Sequence, residues 1–196
     1  MKTIQKYISS SPLQTISLCI GCLLIFLASG TAPDAFIYNR QAITQGEIWR
    51  LITGHFVHCD FQHLILNICA LFLIGSLLEQ QAGRRFFEVV SISCLGVSGW
   101  LWFTQTHLLN YCGLSGMLNG MLIVLLATLW KRHKHPLIPV IAIASLIKIW
   151  IEAAGEQAIF SDLSWASVPG AHGAGIAAGI TYLLITKVRA ERIPRT

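Results

Sequence analysis

Gly113-Leu114-Ser115-Gly116 leads straight into MLNGMLIVLLATLW, residues 117–130, and Lys131-Arg132 closes the run. No charged side chain interrupts it between the serine and the lysine. A stretch this long and apolar, with a polar mouth and a basic exit, reads as a helix in lipid. A polar group at membrane depth is costly, so the serine at the mouth asks for a functional reason.

Working outward, five further apolar runs recur at similar length. The spans fall at about Leu13–Ser29, His63–Leu78, Phe86–Phe103, Ser115–Trp130, Leu137–Ile151 and Ala171–Thr186. Several are shorter than the ~20 residues a perpendicular crossing prefers, so polar ends or local thinning must supply the rest. Composition agrees: 54% of the 196 residues are hydrophobic and only 12% charged, with a mean hydropathy of +0.63. A soluble domain normally carries about a quarter charged residues. The expected fold class is an all-α membrane protein with six transmembrane helices, one domain over 1–196. Residues 1–12 form its cytoplasmic N-terminus and 187–196 a basic cytoplasmic tail. No convincing small-residue cleavage site follows the first span, which is therefore expected to be retained. The net charge of +5 does not call for nucleic acid, because in a membrane protein the placement of charge matters more than its sum.

That placement sets an orientation. Lys2, Lys6, Arg84, Arg85, Lys131, Arg132, Lys134, Lys187, Arg189, Arg192 and Arg195 fall on one side, eleven of the fourteen basic residues. The other side holds Arg40 and Arg50 with Asp34, Glu47, Asp60, Glu156 and Asp162. The positive-inside rule makes the first side, with both termini, cytoplasmic. The second, fourth and sixth spans then all run inward, and their first turns share one outer layer. His63 and Asn67, Ser115, and His172 all fall in that layer.

These four residues have the chemistry of one site. His63 and Asn67, four apart, share a helix face, and both can donate hydrogen bonds to a developing negative charge. Gly113 and Gly116 free the backbone around Ser115, and a helix starting there leaves N–H groups of the Leu114–Ser115 turn for an oxyanion. His172 precedes Gly175 and Gly179, a G-x-x-x-G spacing that lets its helix approach a neighbour closely. A serine and a histidine meeting there are a nucleophile and its base. Singly, each has a plainer reading as a cap, an interfacial histidine or a packing motif; their common depth favours a site. The six cysteines carry no ligand spacing. Cys19-x-x-Cys22 reads as apolar filler, and pairing of Cys59 with Cys112 near the outer face is left open, since geometry decides it.

At these residues the chain resembles the rhomboid intramembrane serine proteases. Trp49-Arg50 is similar to the family's Trp-Arg pair in the first outer loop. His58, His63 and Asn67 match H-x-x-x-x-H-x-x-x-N, Glu79 and Gly83 match E-x-x-x-G, and Gly113-Leu114-Ser115-Gly116 matches G-x-S-G. Ala171-His172 with Gly175 and Gly179 matches the catalytic-histidine helix. The compact length, the Gly46-Glu47-Ile48-Trp49-Arg50-Leu51 run and the segment after Gly113 look like the rhombosortase subgroup. That subgroup is associated with proteins ending in Gly-Gly, a hydrophobic helix and a basic cluster. One departure is Asn119, which stands where many rhomboids carry a tyrosine packed on the imidazole. Either a hydrogen bond from Asn119 replaces it, or the imidazole is held less firmly.

The resemblance implies a six-helix rhomboid-like bundle in the bacterial inner membrane, with its site open to the periplasmic side. Ser115 would attack the scissile carbonyl, with His172 as base and then acid. His63, Asn67 and the backbone at Leu114 and Ser115 would hold the oxyanion. Trp49, Arg50, His58, Glu79, Gly83, Gly113, Gly116, Asn119, Gly175 and Gly179 would support the site. No metal or cofactor is implied, and no acidic residue presents itself as a third member beside His172, Asp162 being nearest in sequence. Lys148 and Glu152, four apart, fit an ion pair particular to the subgroup and equally a plain interfacial pair. Substrates would be transmembrane proteins cut near the outer end of their helix. Two competitors are a rhomboid-like protein that binds membrane clients without cutting, and a metal-handling protein using His55, His58 and His63.

Overall fold

The computed structural model describes residues 11–31, 34–155 and 168–192, with side chains of the last helix through Lys187. Expectations resting on Lys2, Lys6, Glu156, Asp162 and Arg195, and on the side chains of Arg189 and Arg192, lie outside the described residues. In chain order the elements are α1 (Leu13–Ser29), β1 (Tyr38–Asn39), α2 (Arg40–Thr44), α3 (Arg50–Thr53), α4 (Phe61–Ala82), a 3₁₀ turn (Gly83–Arg85), α5 (Phe86–Thr104), β2 (Asn110–Tyr111), α6 (Ser115–His133), α7 (Leu137–Gly155) and α8 (Pro169–Arg192).

Among the described residues, six helices of 17 to 24 residues overlie the six expected spans. The first has the expected bounds and α5 is one residue longer; the others extend by three residues or more, so that α4 runs Phe61–Ala82 rather than His63–Leu78. Two stretches, Phe61–Thr104 and Leu137–Gly155, are long and apolar enough to cross a membrane on length and composition alone. In α6 and α8, the glycines and polar residues that pack against neighbours dilute the apolar signal. The short helices α2 and α3 between the first two long ones were not anticipated.

Helix ends follow local chemistry. The Asp60 carboxylate accepts the His63 N–H at 2.6 Å and caps α4. At its other end Gly83, with φ of +55°, closes the helix on the Glu79 carbonyl. The Glu79 carboxylate also accepts Gln14 N–H at 3.0 Å, Thr15 N–H at 2.8 Å and the Thr15 hydroxyl at 2.8 Å. It therefore satisfies orphan donors in the first turn of α1, which Pro12 cannot cap through its side chain. One acid thus fastens α1 to α4.

The core gathers around α6, whose most extensive packing is against α8, with α5 and α4 completing its surround. Leu64, Leu71, Leu78, Phe86, Met117, Met121 and Val124 fill it. The α6–α8 approach depends on glycine: a Cβ on Gly175 would overlap the Gly116 carbonyl, and one on Gly179 the Gly120 carbonyl. By contrast α7 packs chiefly on α6 and α8 and leaves Val140, Ile143, Ile147 and Trp150 exposed. Leu27, Leu73, Leu95, Phe103 and Leu184 are exposed on other helices. Apolar residues both inside and outside are what a lipid-solvated helical protein needs.

A two-residue antiparallel pair, Tyr38 opposite Tyr111 and Asn39 opposite Asn110, holds the first interhelical segment across the approach to α6. Arg40 reaches the carbonyls of Leu101, Trp102 and Gln105 at 2.7, 3.0 and 3.1 Å, satisfying the C-terminal end of α5. Gly113 N–H donates to the Gly54 carbonyl at 3.0 Å, which fixes the turn just ahead of Ser115.

Candidate active site

Ser115 begins α6 and His172 lies in the first turn of α8. The glycine contact between the two helices sets them face to face, with Ser115 Oγ 2.9 Å from His172 Nε2. That is hydrogen-bond distance. His172 is buried and Ser115 half-buried, so the pair sits at a partly dry mouth between helices.

Gly113 takes φ of +104°, a left-handed conformation that suits glycine. A Cβ there would strike the His63 ring and come within 3.4 Å of Asn67 Nδ2. His63 and Asn67 therefore lean over the turn that presents Ser115. Asn67 is buried, and its Nδ2 has no hydrogen-bond partner among the described residues. An unfilled buried donor beside a serine is an expensive feature, and an incoming oxygen would satisfy it. Tyr111 supports the turn from below, its hydroxyl donating to the Gly113 carbonyl at 3.1 Å.

The other residues expected in supporting roles occupy four places. His58 meets the His63 ring edge-on, with centroids 5.0 Å apart. Burial, and secondarily the neighbouring His63, push the His58 imidazole down to about 3. Trp49 and Arg50 build the outer segment. Arg50 is buried and donates to the Ile37 carbonyl at 2.9 Å and to Glu47 at 2.6 Å, while exposed Trp49 donates to the Ala35 carbonyl at 3.3 Å. Glu79 and Gly83 serve the far end of α4, and Gly116, Gly175 and Gly179 the α6–α8 contact. His55, a ligand in the metal reading, is turned to Ser98 at 2.8 Å, and burial lowers its pKa to about 4. Cys59 and Cys112 lie buried with sulfurs 3.1 Å apart.

Two expectations need correction. Asn119 does not steady the imidazole: its amide donates to the Ser115 carbonyl one turn back, at 2.8 Å. And an acid does lie beside His172. Glu152 Oε2, on α7, is 3.3 Å from His172 Nδ1, while Glu152 Oε1 accepts from Lys148 Nζ at 2.6 Å. Glu152 is only 2% exposed, so it is no plain interfacial residue. The only sequence signal was a carboxylate inside a strongly apolar run with a lysine four residues earlier.

Residues 45–189 match the rhomboid domain. The chain belongs to the rhomboid family. It is 27% identical to the protein named "Putative rhomboid protease YdcA" of Bacillus subtilis (strain 168), over 73% of this chain and 79% of that protein. It is 22% identical to the rhomboid protease GlpG of Yersinia pseudotuberculosis serotype I (strain IP32953), over 92% of this chain and 64% of that one. With GlpG of Yersinia pestis (strain Pestoides F) the identity is 25% over 62% of this chain and 44% of the relative. The chain thus spans less than two thirds of the length of these GlpG relatives. The family match and the relatives make it an intramembrane serine protease by kind.

Proposed function

We propose that the chain cuts transmembrane segments of membrane-anchored proteins near the outer membrane face, with Ser115 as nucleophile and His172 as its base. The observation that carries this is the 2.9 Å approach of Ser115 Oγ to His172 Nε2. As Oγ attacks the scissile carbonyl, His172 Nε2 takes its proton, and then delivers it to the departing amine. Water follows the same route in reverse to release the acyl group. The negative oxygen of each tetrahedral intermediate is received by Asn67 Nδ2, by the His63 ring and by backbone N–H groups at the start of α6.

The six long helices are read as six crossings, with both termini cytoplasmic and the Ser115 layer on the periplasmic side of the bacterial inner membrane. Eleven of the fourteen basic residues support that orientation. The substrate is read, on the rhombosortase resemblance, as a protein ending in Gly-Gly, an apolar helix and a basic tail. Each glycine disfavours helix by about 1 kcal/mol, so such a segment unwinds readily at the site.

The test is release of the soluble part of a single-span reporter carrying that tail. Ser115→Ala and His172→Ala are expected to insert, fold and lose release to a similar degree, because members of one catalytic unit are not additive. Replacing the reporter's two glycines by leucine is expected to slow release by the wild-type protein. Near wild-type cleavage by a well-folded Ser115→Ala variant would sink the protease mechanism and leave a client-binding protein.

A further inference from the structure

Burying a carboxylate among apolar helices is costly unless it is paired and hydrogen-bonded. Glu152 is buried to 2% of its surface on α7, a helix whose remaining surface is largely apolar and exposed. Lys148 accounts for only half of it: its ammonium meets Oε1, and its own side chain is 37% exposed. In an interfacial pair both partners would lean outward. Here the base leans out and the acid turns in, with Oε2 directed at His172 Nδ1 at 3.3 Å. The contact is at ion-pair distance and short of hydrogen-bond alignment, as resting catalytic contacts often are before substrate tightens them. The Asn119 side-chain amide donates to the Ser115 carbonyl rather than to the imidazole.

We propose that Glu152, charged and anchored by Lys148, is a positioning residue for His172, so that the reaction runs on a Ser115–His172–Glu152 relay rather than on a pair. This rests on the serine protease reading above. The carboxylate accepts the Nδ1 proton, which fixes the tautomer with Nε2 bare and aimed at Ser115 Oγ. When Nε2 takes the serine proton, the imidazolium that forms is neutralised by Glu152. The proton on Nδ1 stays there, and the one on Nε2 goes to the leaving amine; Glu152 itself is never protonated. Lys148 holds Oε1, and Oε2 faces the ring.

A fluorophosphonate, which phosphonylates an activated serine, reads this without any assumption about substrate. Ser115→Ala is expected to abolish labelling, and Glu152→Gln to slow it by about 10²–10⁴-fold, the upper figure being the cost of a mis-set tautomer in a Ser-His-Asp site. With the Gly-Gly reporter, Glu152→Gln is expected to lower kcat with KM unchanged. The double variant Lys148→Met/Glu152→Gln is expected to stay as slow as Glu152→Gln. Recovery in the double variant would mean that Glu152 merely neutralises Lys148, and the proposal falls. Wild-type labelling by Glu152→Gln, with Ser115→Ala silent, overturns the role of Glu152 and leaves the protease reading intact. Labelling that survives Ser115→Ala overturns that reading itself. Should Glu152→Gln fail to fold, nitrogen NMR of His172 in the unaltered protein decides: the Nδ1–H tautomer is expected, and the Nε2–H tautomer overturns the proposal.

Discussion

Asn67 Nδ2 has no acceptor among the described residues, although it is buried against the turn that presents Ser115. On the proposed mechanism this donor meets its acceptor only in the oxyanion that appears during reaction. Asn67→Ala is therefore expected to fold with unchanged thermal stability and to lose turnover. Loss of one such donor costs about 2.7–4 kcal/mol of transition-state stabilisation, or about 10²–10³ in kcat. His63 and the backbone retain part of the function, so the His63/Asn67 double alanine should be slower still. Unchanged release rates in both variants would remove the two side chains from the oxyanion site.

At the scale of elements, α8 reaches α6 only because Gly175 and Gly179 face Gly116 and Gly120. Gly175→Ala would set a methyl group on the Gly116 carbonyl, and that backbone cannot yield without carrying Ser115 with it. Overpacking of this kind costs about 1–3 kcal/mol. Peptidase activity is expected to fall further than stability does, because the helices must part where the hydroxyl and imidazole meet. Gly173→Ala is the matched control: among the described residues nothing lies within 4 Å of a Cβ at Gly173, and a helical alanine gains about 0.5–1 kcal/mol over glycine. Comparing thermal unfolding and reporter cleavage for the two variants checks this, and equal behaviour would deny the close contact any catalytic importance.

For the whole molecule, the apolar runs gave the long helices well, since a lipid-facing helix must be apolar over its full length. Their ends were placed too short because polar turns such as Phe61–Gln62 and Glu79–Ala82 stay helical beyond the apolar stretch. The meeting of Ser115 and His172 was legible because glycine spacing marks close approach and topology equalises depth. Glu152 was not, for a rotational reason: α7 is apolar nearly all round, so its own pattern does not mark which side faces α8. Asn119 was misjudged for a local reason, since a side-chain amide in a helix finds the carbonyl one turn back before it finds another helix. Glu79 was recognised only as part of a pattern, and its use as a clamp on α1 appears once the helix N-terminus is seen beside it.

The sparse packing of α7 has a consequence for the bilayer itself. This helix contacts chiefly α6 and α8, carries an apolar outer face, and holds the carboxylate that faces His172. Its 19 residues make a rod of about 28 Å at ~1.5 Å per residue, close to a hydrocarbon core of about 30 Å. Lipids of longer or shorter acyl chain oblige a loosely held rod to change its tilt, whereas the tightly interlocked α6 and α8 resist. Peptidase turnover in vesicles of graded acyl length is therefore expected to peak at matched thickness and decline on either side. Glu152→Gln should give a low and nearly level profile, because it has no carboxylate to bring into register. A wild-type profile as level as the variant's would show that α7 keeps its seat whatever the lipid, making the enzyme indifferent to membrane thickness rather than tuned by it.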